Sequence, residues 1–342
     1  MATRNSRLVT VNSVMNEHAS SDLRSAAATH PRLHELVERA RQRAGTQAPA
    51  VGLVYPCDAL ALGAAAQIAA AGIARPVLIG PAGPIARAAS AAGVDVAQFE
   101  LIVTADAGPE AALRATMLAR EGVIGALMKG SLHTDELMSA VVNKHSGLRG
   151  NTRISHAFVF DLPRYPKLLA LADCVVNIAP NLHTKRDIIG NAIALLQRLG
   201  VAHPKVAIVA AVETVNPAIP ATVDAQALVE MARQGAWPGA IVEGPFGFDN
   251  AISADAARIK KINSQVSGDA DLLLMPDLNA GNMLYKSFNY IGGGDCAGLV
   301  LGAKVPIVLT SRADSLHSRI ASVALAVLAS IPLDTPLESP RS

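Results

Sequence analysis

Short apolar runs rich in Val, Ile and Leu alternate along this chain with longer Ala-rich stretches of helical period. In the first half, Val51–Tyr55, Pro76–Ile79, Leu101–Val103 and Val123–Met128 read as strands. The stretches Asp58–Ala71, Gly83–Ala92 and Pro109–Glu121 read as the helices between them, and a further helix starts near Thr134. Thr134 is the expected N-cap there, with Asp135 and Glu136 favourable in the first turn. The second half repeats the rhythm. Ala157–Phe160, Val175–Ile178, Val206–Ala210, Ala240–Val242, Leu272–Met275, Leu299–Leu301 and Ile307–Leu309 read as strands. Lys185–Leu199, Asp224–Gln234, Ala254–Ser264 and Ser315–Leu328 read as helices. Unbroken β-branched runs bounded by turn residues suit strands covered on both faces. Strand–helix alternation implies right-handed crossovers, so the fold class is α/β with mainly parallel sheets.

The length allows two such domains. The pattern predicts domain I over residues 31–165 plus 305–335 and domain II over 166–304, with a break where Arg164–Lys167 interrupts the periodicity. Residues 1–30 read as a flexible lead-in, and the proline-bearing tail Pro332–Ser342 as frayed. Hydrophobic residues make up 51% of the chain but aromatics only 3%, so the apolar content is Ala, Val, Leu and Ile, as layered α/β packing needs. A formal net charge of +2 without a dense basic run argues against nucleic acid as a partner. Cys57, Cys174 and Cys296 are isolated, with no metal-ligand spacing, so no metal is expected and a reducing cytoplasmic location is. No uninterrupted apolar stretch reaches the ~18 residues of a membrane span, and the first 30 residues lack the apolar core of a signal peptide.

In open α/β sheets ligands bind beyond the carboxyl ends of strands, so the strand exits hold the candidate chemistry. After Ile307–Leu309, Thr310-Ser311-Arg312-Ala313-Asp314-Ser315 brings hydroxyls, a guanidinium, a carboxylate and a helix start together. Such a turn suits an anion, with Arg312 able to grip phosphate through two parallel hydrogen bonds. It equally suits a plain N-cap by Ser311 or Asp314, with Arg312 in a surface ion pair. After Val123–Met128, the Lys129-Gly130-Ser131 exit can seat a phosphate but lacks P-loop spacing. After Leu272–Met275, Gly281 permits close backbone approach, Asn282 can cap and Lys286 lies one turn in. Arg153 and His156 precede a strand, and His156 reads as a base or a core histidine. The segments Val212–Pro217 and Glu243–Ser253 also follow strands; Gly292–Gly294 reads as a flexible turn.

Taken in order, the stretches 126–138, 152–159, 210–225, 243–253, 276–286 and 305–315 resemble the phosphate acetyl/butyryltransferase family, including the transacylase part of bifunctional enoyl-CoA hydratase/phosphate acetyltransferases. The resemblance covers roughly residues 30–330. It implies a two-lobed fold akin to the isocitrate/isopropylmalate dehydrogenases, a homodimer, and acyl-CoA and inorganic phosphate as partners in an interlobe cleft. Coenzyme A is then a substrate and no cofactor is needed. Acetyl-type members place a Ser-Arg pair at the reacting centre, matched here by Ser311 and Arg312. An arginine that helps hold coenzyme A is matched by Arg153. Lys129, Ser131, Asn282 and Lys286 complete the expected substrate contacts. The aspartate that acetyl-type members carry seven residues after the serine is here Ser318, which leaves Asp314 as the nearest base. The rival readings are a metal- and NAD-dependent dehydrogenase of the same fold and a binder of coenzyme A or phosphate without turnover.

Overall fold

A computed structural model describes residues 25–26, 28–145, 147–311 and 314–330. It divides into two compact units: unit 1 holds the chain up to Arg149 and again from Ala303, and unit 2 spans Gly150–Gly302. The first division lies earlier than the break expected at Arg164–Lys167. The strand Ser155–Asp161 pairs with two strands of unit 2, which carries it away from the preceding segment.

Unit 1 begins with helix α1 (Pro31–Ala44), followed by β1 (Ala50–Val54), α2 (Ala59–Ala70), β2 (Arg75–Gly80) and α3 (Ala82–Ala92). Next come β3 (Glu100–Val103), α4 (Gly108–Arg120), β4 (Ala126–Lys129) and α5 (Thr134–Val142). Its strands lie in the order β3-β2-β1-β4-β11, all parallel, where β11 is Ile307–Val308. The chain winds outward from β1 to β3 and then restarts on the other side of β1, so β1 and β4 form a topological switch point. The last helix of unit 1, α11 (Leu316–Ser330), is buried along nearly its whole length. One of its faces takes the apolar stripe of α1, Leu33, Leu36, Val37, Ala40 and Ala44, spaced at helical period. Each fully buried leucine there contributes about 2 kcal/mol by removal from water.

Unit 2 opens with β5 (Ser155–Asp161), β6 (Leu169–Ala172), α6 (Leu182–Arg198) and β7 (Lys205–Val209). It continues with α7 (Pro220–Arg233), β8 (Ile241–Phe246), α8 (Phe248–Ile252), α9 (Ala254–Ile259), β9 (Leu272–Leu274), α10 (Leu278–Tyr290) and β10 (Asp295–Leu301). The strand order is β10-β5-β6-β9-β7-β8. The β6, β9, β7 and β8 strands are parallel, whereas β5 runs antiparallel to both of its neighbours. Two expected spans move. Val175–Ile178 is a loop and the strand is β6, because the Asp173 carboxylate takes the N–H groups of Val175 and Val176. The helix expected over Ala254–Ser264 ends at Ile259, where Lys261 adopts a left-handed φ of 55°.

Candidate active site

In unit 1 the residues that follow β1, β4 and β11 line one cavity of about 270 Å³. Asp58 and Leu60 come from the first exit, Lys129 to Thr134 from the second, Thr310 and Ser311 from the third. The placement follows from topology, since a pocket at the switch point is open to all three exits. Gly130 makes it possible. A Cβ there would lie 2.6 Å from the carbonyl oxygens of both Val54 and Tyr55, so only glycine lets the β4 exit cross the β1 exit this closely. Backbone bonds then fix the crossing, Gly130 N–H to Val54 O and Ser131 N–H to Tyr55 O, each 2.9 Å. The Ser131 hydroxyl accepts the N–H of Cys57 at 2.9 Å.

Lys129 lies over its own loop, its ammonium donating to the carbonyls of Gly130 and Leu132 at 3.1 Å each. Thr310 Oγ1 donates to Lys129 O at 3.1 Å and ties the β11 exit to the β4 exit. The N-terminus of α5 also faces the cavity, through His133 and Thr134. His133, rather than Thr134, is its N-cap, in a reciprocal capping box with Glu136 whose carboxylate accepts the His133 N–H at 2.7 Å.

The Ser311 turn closes on itself. The N–H of Ser311 donates to Asp314 Oδ2 at 2.6 Å, and the N–H of Asp314 donates to Ser311 O at 3.2 Å. Arg312 lies outside the described residues. Ser318, in the position of the family aspartate, is buried on α11, and its N–H donates to the hydroxyl of Ser315. One pocket residue escapes a reading of strand exits: Arg319, the single Lys or Arg of α11, which reaches back to the cavity. A lone guanidinium in a helix without any Lys, Asp or Glu was the signal available for it. Burial draws its pKa down, while the carboxylates of Asp314 and Asp58 act the other way.

Unit 2 carries the other expected residues. Arg153 is exposed at the approach to β5; its N–H donates to Asp187 and its carbonyl accepts from Asn191. Burial acts to raise the pKa of Asp187, but the Arg153 N–H and the Arg186 guanidinium outweigh it and hold the carboxyl low. Asn282 donates to Cys174 O at 3.3 Å from inside α10; the cap of that helix is Asp277, which accepts the N–H of Ala280. A Cβ on Gly281 would meet Asp173 O at 2.6 Å, so α10 sits directly on the Asp173 loop. Lys286 is exposed further along α10. His156 is buried against Phe158, with ring centroids 4.4 Å apart, and burial lowers its pKa to about 4 despite the Asp173 carboxylate. A neutral, enclosed imidazole is a core residue, not a base exposed to substrate. The segments around Glu213 and Glu243 meet as well: Glu213 accepts from Asn250 and Lys260, and Glu243 from Ser264.

Residues 103–327 match the family described as Phosphate acetyl/butaryl transferase. The chain belongs to this family. It is 50% identical over 83% of its length to a phosphate acetyltransferase of Rhizobium meliloti, covering 90% of that protein. It is 38% identical to a phosphate butyryltransferase of Clostridium acetobutylicum, across 75% of this chain and 85% of the relative. Among solved structures, a branched-chain phosphotransacylase from Enterococcus faecalis V583 superposes with a TM-score of 0.73 at 29% identity, over 82% of this chain and 99% of that one. Within this family match lie the strand exits at Lys129–Ser131 and Thr310–Ser311, whereas Asp58 and Leu60 at the β1 exit precede it.

Proposed function

We propose that this chain catalyses acyl-CoA + phosphate = acyl phosphate + CoA with a short acyl group, acetyl or butyryl, by direct attack while both substrates are bound. The observation that carries the reading is the switch-point pocket of unit 1, where Lys129, Ser131 and Ser311 converge, in a chain of this family. Phosphate is held there by Lys129, the Ser131 hydroxyl and the Ser311 turn, with Arg312 as its guanidinium clamp. Coenzyme A is bound through Arg153, Asn282 and Lys286. In the forward direction a phosphate oxygen attacks the thioester carbon, the C–O bond forms, and the carbonyl becomes an oxyanion. The Ser311 hydroxyl donates to that oxyanion, an interaction worth ~3 kcal/mol for a well-placed donor. The C–S bond then breaks and the thiolate leaves. In reverse, Asp314 takes the proton of the thiol as sulfur attacks the acyl phosphate. The Ser311 N–H is already committed to Asp314, so the hydroxyl, not that N–H, is the oxyanion donor of the turn. Coenzyme A is a substrate on this reading, and the enzyme works as a cytoplasmic homodimer.

The test is a panel of acetyl-, propionyl- and butyryl-CoA with phosphate, followed by release of free thiol without added NAD or metal. Turnover with at least one donor, reduced at least a hundredfold by Arg312→Ala, is expected. Tight binding of coenzyme A without turnover on any donor would instead favour the non-catalytic binder.

A further inference from the structure

α11 is a helix without a solvent face, so an arginine one turn into it demands a physical reason. Arg319 is only 5% exposed. Among the described residues it forms no ion pair: its two hydrogen bonds run to uncharged backbone carbonyls, Nη2 to Ser311 O and Nε to Asp314 O at 3.4 Å. Those two carbonyls are the two ends of the Ser311 turn. Ser311 O already accepts the Asp314 N–H, so the guanidinium binds a turn that is closed and locks it from below. The planar guanidinium offers N–H groups in two fixed directions, whereas an ammonium on a flexible stem holds neither carbonyl in a set geometry. The same side chain lines the switch-point cavity beside Lys129, whose ammonium is likewise held on carbonyls. Burial strips the cation of its hydration, and the carboxylates of Asp314 and Asp58 offset that cost only through space, without an ion pair among the described residues. An anion in the cavity, which Arg319 lines, offsets it further.

We propose that Arg319 is a positioning residue for acyl transfer to phosphate, fixing the Ser311 turn from inside α11 and supplying the pocket with buried positive charge. This rests on the phosphate site proposed above. The two parts of the role separate on substitution. Arg319→Lys keeps the charge and loses the fork; Arg319→Gln loses both.

The experiment measures kcat and the KM for phosphate and for acyl-CoA in the full-length enzyme and in both variants. It adds the thermal shift produced by inorganic phosphate alone. For Arg319→Lys, kcat is expected to fall at least tenfold with the phosphate KM within threefold of the parent. For Arg319→Gln, the phosphate KM is expected to rise at least tenfold more and the phosphate-induced shift to vanish, with the acyl-CoA KM unchanged within threefold. Ser322→Ala, one turn on and away from the cavity, controls for loss of helix stability; it is expected to lower Tm without altering either KM. A lysine variant with parental kcat overturns the positioning role. A glutamine variant with a parental phosphate KM, or with both KM values rising together, overturns the charge role. If Arg319→Gln does not fold, the lysine variant and its phosphate shift decide alone, a lost shift counting against the proposal. Absence of turnover in the parent enzyme would instead strike the transacylase reading. The phosphate-induced shift would still report on Arg319.

Discussion

Asp314 does two jobs in the Ser311 turn, and they can be pulled apart. Its Oδ2 accepts the Ser311 N–H, and in the proposed chemistry its carboxylate accepts the thiol proton. Asparagine preserves an oxygen acceptor for the N–H but has no basicity. Asp314→Asn is therefore expected to fold with a parental Tm and to lose about 10²–10⁴ in the rate of acyl phosphate consumption by coenzyme A. The measurement is thiol disappearance across pH 6–9; a variant whose rate stays within twofold of the parent would remove Asp314 as the base. Ser318 does not compete for the role, because a hydroxyl is not a base near neutral pH and its site is enclosed by α11 packing.

At the scale of elements, one buried carboxylate organises the exit of β6. Asp173 collects the N–H groups of Val175, Val176 and His156 and the amide of Asn177. Removing it with Asp173→Ala leaves one buried and three part-buried donors unpaired, which is expected to cost about 2–4 kcal/mol in urea unfolding. It should also loosen the seat of α10. A cost below about 1 kcal/mol would mean that water replaces the carboxylate. The same loop shows where the sequence pattern stops being informative. Val175–Ile178 is as apolar and β-branched as a strand, and nothing in its own letters says that a neighbouring side chain consumes its donors. Parallel and antiparallel pairing read alike in one dimension, so β5 gave no sign of running against β6 and β10. By contrast, β1, β2 and β9 were legible within a residue, because a strand buried on both faces has no polar alternation to confuse its limits. Part of the pocket lining was legible on a different ground: Lys129, Ser131 and Ser311 sit at strand exits, whereas Arg319 enters the pocket from within a helix.

For the molecule as a whole, acid stability carries the mark of His156. Its ordinary pKa of 6.5 applies in the unfolded chain and falls to about 4 when folded, with burial outweighing the attraction of Asp173. Between these values the unfolded state binds more protons, so the contribution to stability is complete above about 6.5 and is lost as pH falls toward about 4. The slope from this group is at most ~1.4 kcal/mol per pH unit. His156→Leu is expected to flatten the fall in urea midpoint between pH 7 and pH 5; parallel curves for parent and variant would rule the histidine out. The division into units has a different consequence. Unit 2 lies between the two chain segments of unit 1, so the ribosome delivers β11 and α11 after every strand of unit 2. Until then the nascent chain presents β4 paired with β1 alone, its other edge open, and α1 without the helix that covers its leucines. Such an open edge and bare apolar stripe are what chaperones bind and what aggregates. The third wall of the switch-point pocket is translated last, so a ribosome stalled short of Thr310 yields a chain with unit 2 entire and that pocket lacking Ser311 and Arg319.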